Sequence, residues 1–146
     1  MRSRKIMIAC LAVWLSMAMS AGISDAHAEV VVIVSAKSHV NSLSAEQTAR
    51  IFLGKVSNFP DGEEAVPIDQ PQGRTVRDEF YKKIVHKSAS QVAAYWAKVI
   101  FTGDGRPPVM LENNAAVRRA VAANPNAIGY IEKTSVNKSV KVILEP

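Results

Sequence analysis

Residues 29–35, which read EVVVIVS, constrain the fold more than any other stretch of the chain. The segment is rich in β-branched residues and almost wholly apolar, so it predicts a strand whose two faces are both buried. A strand of this kind is typical of the centre of a parallel sheet that carries helices on both sides. We therefore expect a layered domain of mixed α/β structure with this segment as a central, parallel strand.

Helix-start signals and short apolar runs alternate along the rest of the chain. Capping boxes at residues 44–47 and 88–91 predict two helix starts. Apolar spacing over residues 75–86 predicts another helix, and Asn113 or Asn114 is placed to cap a fourth. Short strands are predicted at residues 65–68, 109–111, 127–131 and 140–144. The helix that starts at Ser88 is predicted to turn its apolar side inward: Val92, Tyr95, Trp96, Val99 and Ile100.

The first 28 residues have the layout of a secretory signal peptide. Basic residues within 2–5 precede an apolar run at 6–19, and Ala-His-Ala at 26–28 is a small-x-small cleavage signal. The alternative is a membrane anchor, although a spanning helix needs about 20 apolar residues. We expect cleavage after Ala28, a periplasmic or secreted mature chain of residues 29–146 that forms one domain, and no membrane insertion after cleavage.

Cysteine usage and charge exclude some functional classes. The lone cysteine, Cys10, falls within the predicted signal peptide, so the mature chain must be held by core packing rather than by disulfides. The full chain has a formal charge of +5, and the predicted mature chain carries 15 Lys and Arg against 12 Asp and Glu residues. This mild excess, with aromatic residues at only 6%, predicts no nucleic-acid binding and supports a weak preference for anionic partners.

No pattern in the sequence indicates a catalytic or metal-ligating set. His39 and His86 stand far apart, without the short spacing of a metal motif. Ser35 and Lys37 have the residue types of a Ser/Lys pair, but such a spacing often arises by chance. We therefore expect a protein that is not an enzyme and that holds no metal and no cofactor.

A binding site for a small anion is the main functional hypothesis from the residues. Residues 67–80, PIDQPQGRTVRDEF, run from a short strand through a turn into a helix. A helix start presents unpaired N–H groups and a partial positive charge, both of which favour an anion. Gly73, Arg74 and Thr75 lie at that start, and Gln70 precedes them. The alternative is an ordinary helix capped by Thr75, with no ligand.

A second set of candidate ligand contacts follows the first strand. Ser35, Lys37 and Ser38 lie in a small polar loop where that strand ends. In open α/β sheets, ligands tend to bind at the carboxyl ends of strands. The alternative, which the sequence leaves open, is a solvated loop.

Four segments together resemble a known group of binding proteins. They read LSAEQTARIFLGKVSNFPDG, PIDQPQGRTVRDEF, YWAKVIFTGDGRPP and NPNAIGYIE, and they span most of the chain after residue 42. In this order they are similar to the phosphate-binding proteins of ABC transporters, specifically to short, single-lobe members of the periplasmic phosphate-binding-protein-like superfamily. The resemblance implies a single-lobe, type 2 periplasmic-binding-protein-like domain, in which helices flank a mixed sheet. It also implies phosphate or a related small oxyanion as ligand and an ABC permease as partner.

The resemblance also assigns the turn after the second strand to the ligand site. The family loop reads Arg-Ser-Asp-Gly-Ser-Gly-Thr, and Thr75 matches its threonine. Asp69 stands in place of the family arginine, Gly73 in place of the second serine, and Arg74 in place of the following glycine. The main cation has therefore either moved to Arg74 or been lost.

These departures leave two functions open. In the first, the protein captures phosphate or a related oxyanion, and a dimer or a partner protein supplies the second wall of the site. In the second, it is a periplasmic interaction or sensory module that keeps the fold and has lost tight ligand capture. The loop at residues 103–108, GDGRPP, is a candidate contact surface in either case.

Overall fold

A five-stranded mixed sheet forms the centre of the computed structural model, which describes residues 28–146. The predicted signal peptide therefore lies almost wholly outside the described residues. The strand order across the sheet is β3-β2-β4-β1-β5. The strands are β1 (Val30–Ser35), β2 (Val66–Asp69), β3 (Val109–Met110), β4 (Ala127–Glu132) and β5 (Val140–Leu144). The helices are α1 (Ala45–Phe52), α2 (Thr75–Phe80), α3 (Ala89–Thr102) and α4 (Asn114–Ala123).

The predicted direction of the first strand was wrong, although its burial was right. All six residues of β1 are buried, and the strand lies inside the sheet. It runs antiparallel to both neighbours, β4 and β5, whereas β2, β3 and β4 are mutually parallel. Burial on both faces requires covering layers above and below the sheet, and these layers cover an antiparallel strand equally well.

Two apolar cores, one on each face of the sheet, explain why β1 has no polar side. Val30, Val32 and Val34 pack with α1, α2 and α3 on one face. Val31 and Ile33 pack with α4 on the other. Successive side chains of a strand point to opposite faces, so a continuous apolar run supplies both cores at once. The expected mixed sheet flanked by helices is confirmed.

The helix starts follow local sequence chemistry closely. Both capping boxes form, with Ser44 accepting from Gln47 N–H and Ser88 accepting from Gln91 N–H. Asn113 caps α4 through Ala116 N–H at 2.9 Å. One predicted inward residue, Ile100, is 56% exposed, because α3 buries its apolar side mainly through its first two turns.

The chain after α2 continues as a single π-helical turn, Tyr81–Val85. His86 then adopts a left-handed conformation with φ of 58° and ends the helical segment, close to the predicted end. Tyr81 and Ile84 of this turn are buried in the same core as residues of α1 and β4. None of the helices within residues 28–146 is long and apolar enough to cross a membrane.

A close approach between α4 and β4 requires a glycine at position 129. A Cβ there would lie 2.7 Å from Val117 Cγ1, closer than Cβ atoms come to other atoms, and 3.1 Å from Val121 Cγ2, which is also tight. The helix therefore lies tightly on the sheet. This packing brings Asn114, at the start of α4, to the end of β2, where the candidate site begins.

Candidate functional site

The candidate site is the corner at which β2 ends and α2 begins. β2 ends at Asp69, a turn follows, and α2 starts at Thr75. Gly73 has φ of 86°, and a Cβ at this position would have no neighbour within 4 Å. Glycine is therefore required here by the left-handed backbone and not by lack of space.

Gly73, Arg74 and Thr75 are all exposed and together form the outer side of this corner. With Val76 and Glu132 they line a shallow pocket of about 270 Å³. Arg74, and not Thr75, is the N-cap residue, and its side chain makes no capping hydrogen bond. The Arg77 N–H already donates to Arg74 O at 3.0 Å. The Thr75 and Val76 amides, which come before the first intrahelical bond, are therefore the ones left to solvent or to a ligand. The pocket thus offers backbone donors, one hydroxyl and one guanidinium, with one opposing carboxylate.

Asp69 lies on the inner side of the same corner and is only 3% exposed. Its Oδ2 accepts a hydrogen bond from the Tyr81 hydroxyl at 2.6 Å, and its Oδ1 accepts from the Tyr130 hydroxyl. The Gln70 N–H donates to Oδ1 at 2.7 Å. Arg77 Nε is 3.4 Å from Oδ1, close enough for an ion pair. A buried carboxylate requires such partners, and Asp69 has a full set of them.

The charged and polar groups of this buried cluster stabilise one another. Burial raises the pKa of Tyr81 and of Tyr130 above their ordinary value of 10.0, and the negative charge of Asp69 raises both further. Both hydroxyls are therefore neutral donors near neutral pH. The Arg77 guanidinium lies over the Tyr81 ring, 4.8 Å from its centroid, and balances the charge of Asp69.

Gln70 is placed by the structure inside the protein and not in the open pocket. It is fully buried, and its Nε2 donates to Tyr130 O and to Asn114 Oδ1, each at 3.0 Å. Its Oε1 has no hydrogen-bond partner in the part of the chain that the structure describes. Gln70 therefore ties the end of β2 to β4 and α4.

Ser35, Lys37 and Ser38 lie at the opposite end of the sheet from Gly73–Thr75. Because β1 runs antiparallel to β4, and β4 runs parallel to β2, β1 ends where β2 begins. Ser35 is buried and donates to Ala122 O at 3.2 Å, and Ser38 Oγ accepts from Val40 N–H at 3.2 Å. Lys37 is exposed. These three residues form a local turn, and the structure does not bring them together with the other candidates.

Sequence reasoning missed the partners of Asp69, namely Arg77, Tyr81 and Tyr130. The available signal was Asp69 itself, since a carboxylate that directly follows a buried apolar strand residue needs donors nearby. Tyr130 becomes such a donor through the pairing of Ile68 with Gly129, which puts the two following residues side by side. Within residues 28–146, no group of three or more His, Cys, Asp or Glu side chains is arranged to hold a metal ion.

Comparison with known proteins yields matches only among solved structures. No family model matches the chain, and no curated protein matches it. A phosphate ABC transporter substrate-binding protein from Clostridium perfringens, solved with bound phosphate, is 23% identical with a TM-score of 0.63. An ABC-type phosphate transport receptor from Vibrio cholerae is 20% identical, also with a TM-score of 0.63. PstS from Borrelia burgdorferi is 15% identical with a TM-score of 0.59.

These matches cover most of this chain but less than half of each neighbour. Each of the three covers 79% of this chain. The matched parts are 44%, 45% and 46% of the respective neighbours. At these identities the likeness concerns the fold, and it confirms the resemblance at that level. The described residues have the α/β fold of one part of the phosphate ABC transporter substrate-binding proteins.

Proposed function

We propose that this chain is a solute-binding domain that binds phosphate or a related small oxyanion at the corner formed by Gly73, Arg74 and Thr75. The observation that carries the proposal is the inward position of Asp69. The family loop that this segment resembles has an arginine at the position of Asp69. A carboxylate in the open pocket would repel an anion. Here that carboxylate is buried, bonded to two tyrosine hydroxyls and balanced by Arg77.

The outer side of the corner has the chemistry that an oxyanion needs. The Thr75 and Val76 amides and the Thr75 hydroxyl are donors, and Arg74 supplies positive charge. Arg77 is engaged with Asp69, so Arg74 is the cation of this site. Glu132 in the same pocket opposes the anion, and the open setting admits water and salt. Weak binding follows, with a dissociation constant of about 1 mM, or roughly 4 kcal/mol.

The solved structures that are similar to this chain support the choice of ligand and of partner. One is described with bound phosphate, and another is described as an ABC-type phosphate transport receptor. Phosphate is therefore the first ligand to test, and the permease of an ABC transporter is the expected partner. Signal cleavage after Ala28 would deliver the domain to the periplasm, where such partners are reached. In this role the protein binds and presents a ligand and carries out no catalysis.

A second candidate function is an interaction or sensory module that keeps the fold without tight ligand capture. The observation that favours it is a group of exposed large apolar side chains at the end of α3 and on β3. Exposed apolar groups of this size mark protein contact surfaces.

Thermal unfolding of the purified protein with oxyanions tests the first function. At about 10 mM phosphate and a dissociation constant of about 1 mM, ligand binding stabilises the fold by about 1.4 kcal/mol, a rise in Tm of about 4–6 °C. Arg74→Ala combined with Thr75→Ala should abolish this rise. Lys37→Ala combined with Ser38→Ala is the matched control, because it also removes one cation and one hydroxyl, at the other end of the sheet, and it should keep the rise.

Chloride at the same ionic strength separates specific binding from general salt effects. Sulfate and arsenate show whether the corner selects among oxyanions. Absence of any rise in Tm with all three oxyanions would overturn the proposal and favour the interaction module.

A further inference from the structure

The donors around the Asp69 carboxylate come from four separate segments of the chain. The Gln70 N–H directly follows β2, Arg77 lies in α2, Tyr81 lies in the π-helical turn and Tyr130 lies in β4. All of them converge on the two oxygens of one side chain, which is only 3% exposed. We call these four donors the inner site. Charge-assisted hydrogen bonds of this kind are among the strongest that a protein offers to an anion.

The two tyrosine rings of the inner site are held by contacts that do not involve Asp69. Phe80 stacks on the Tyr130 ring, with centroids 4.1 Å apart and an interplanar angle of 6°. Phe80 also meets the Tyr81 ring edge-on, with centroids 5.1 Å apart. These ring contacts fix the position of both hydroxyls. We therefore expect the inner site to keep its shape when the Asp69 side chain is removed.

The Arg77 guanidinium has donors that Asp69 does not use. Arg77 is 4% exposed, and its Nε is 3.4 Å from Asp69 Oδ1. Neither Nε nor Nη1, both of them buried, has a hydrogen-bond partner within residues 28–146. An arginine binds a carboxylate best through two parallel N–H···O bonds. The Asp69 carboxylate is tied to the end of β2, whereas a free carboxylate is not and can take up these donors.

The geometry of the inner site selects a planar carboxylate rather than a tetrahedral oxyanion. The Tyr81 hydroxyl donates to one oxygen of Asp69, and the Tyr130 hydroxyl and the Gln70 N–H donate to the other. A phosphate or sulfate would bring two further oxygens into a site whose residues are all buried. A close-packed interior has no room for them. Formate, the smallest carboxylate, is therefore the ligand that fits.

We propose that the inner site is a binding site for a small carboxylate, which the chain fills with its own Asp69 side chain and which accepts free formate once that side chain is removed. In the native protein Asp69 acts as an internal ligand that joins β2, α2 and β4 without an external anion. This inference is independent of the proposed function, because Gly73, Arg74 and Thr75 contribute no donor to the inner site.

Thermal unfolding of the Asp69→Gly variant with sodium formate tests the proposal. At about 100 mM formate its Tm should rise by about 4–6 °C, which corresponds to a dissociation constant of about 10 mM. Sodium chloride at the same concentration should give no such rise, and acetate, which is larger, should give a smaller one. The parent protein and Asp69→Asn keep the inner site filled, so both should respond to formate no more than to chloride.

The low stability of Asp69→Gly is offset by the choice of solvent. The variant and its controls are compared in about 1 M trimethylamine N-oxide, which stabilises folded proteins and carries no net charge. If Asp69→Gly is still unfolded there, the readout becomes its circular dichroism. Formate should then restore the spectrum of the folded protein, and chloride should not.

Two hydroxyl deletions test whether formate occupies the inner site. Tyr81→Phe, added to Asp69→Gly, removes the donor to one carboxylate oxygen and should weaken formate binding about threefold or more. Tyr95→Phe, added to Asp69→Gly, is the matched control, because the Tyr95 hydroxyl donates to Leu53 O at 2.6 Å, outside the inner site. It should leave the dissociation constant for formate unchanged.

Three outcomes would overturn the proposal. They are an Asp69→Gly variant that formate affects no more than chloride does, an equal response of Asp69→Asn, and a response that Tyr81→Phe leaves intact. The response of the parent protein to phosphate is a separate measurement, so failure of the outer pocket and failure of the inner site are distinguishable.

Discussion

The inner and outer sides of the corner after β2 make opposite uses of charged residues that are close in sequence. Asp69 is 3% exposed and has two hydroxyl donors and a guanidinium around it. Arg74 is exposed, caps nothing with its side chain and faces an open pocket. The inner side satisfies its own charge, whereas the outer side leaves its donors available. The difference implies that stability and ligand binding at this corner can be separated by mutation.

The largest loss of stability is expected from Asp69→Ala. The change leaves two tyrosine hydroxyls buried without their acceptor and the Arg77 guanidinium buried without its ion-pair partner, which costs about 3–5 kcal/mol of unfolding free energy. Urea unfolding at neutral pH measures this loss. Asp69→Asn, which keeps one acceptor oxygen, is the matched control and should lose less. A loss below about 1 kcal/mol for Asp69→Ala would mean that water already reaches the cluster.

A loss of stability at alkaline pH should come next in size. The folded state keeps Tyr81 and Tyr130 protonated, because their pKa values lie above the ordinary 10.0. Above pH 10 the unfolded chain releases these protons and the folded chain does not. Stability is therefore full below pH 10 and falls as the pH rises, by about 1.4 kcal/mol per tyrosine at pH 11.

In urea unfolding between pH 8 and pH 11, this loss of stability appears as a decrease in the urea concentration at the midpoint of unfolding. Tyr81→Phe and Tyr130→Phe should each flatten the fall, although each also lowers stability at pH 8. An equally steep fall in both variants would assign the alkaline loss to other groups.

A smaller effect, on binding alone, is expected from Glu132→Gln. This carboxylate lines the pocket with Arg74 and Thr75, so its removal should tighten phosphate binding two- to fourfold. Calorimetric titration or the dependence of Tm on phosphate gives the ratio. Glu112→Gln, an exposed change of the same kind outside the pocket, should leave binding unchanged. Equal effects of the two substitutions would indicate a general charge effect.

The smallest effect on phosphate binding is expected from substitutions at the other end of the sheet. Ser38→Ala removes one local hydrogen bond, to Val40 N–H, and should cost about 0.5–1.5 kcal/mol without altering the response to phosphate. Lys37→Ala should change neither the free energy of unfolding nor the response to phosphate measurably. Loss of the phosphate response in either variant would place the binding site at the end of β1 and contradict the assignment to the corner.

Sequence patterns predicted the features that depend on neighbouring residues. The capping boxes at Ser44 and Ser88 lie within four consecutive residues, and both form as predicted. The open corner at Gly73 and Arg74 was likewise visible in the order strand, turn, helix. Such features are governed by local hydrogen bonds, which a single sequence contains in full.

Features that depend on strand pairing were not predictable in the same way. The direction of β1 is decided by β4 and β5, near the other end of the chain, and the composition of β1 fits either direction. The partnership of Asp69 with Tyr130 depends on the register between β2 and β4. A single residue of slippage would turn Tyr130 to the opposite face of the sheet.

The position of β1 has a consequence for the order in which the chain folds. The strand is made early in synthesis, yet both of its partners, β4 and β5, are made near the end, and most of the described chain separates them. Such distant pairing slows folding. Until the last strands emerge, an apolar β-branched segment stays uncovered and is prone to pair with other chains. The central strand therefore makes completion of the sheet, rather than formation of any helix, the step that protects this protein from aggregation.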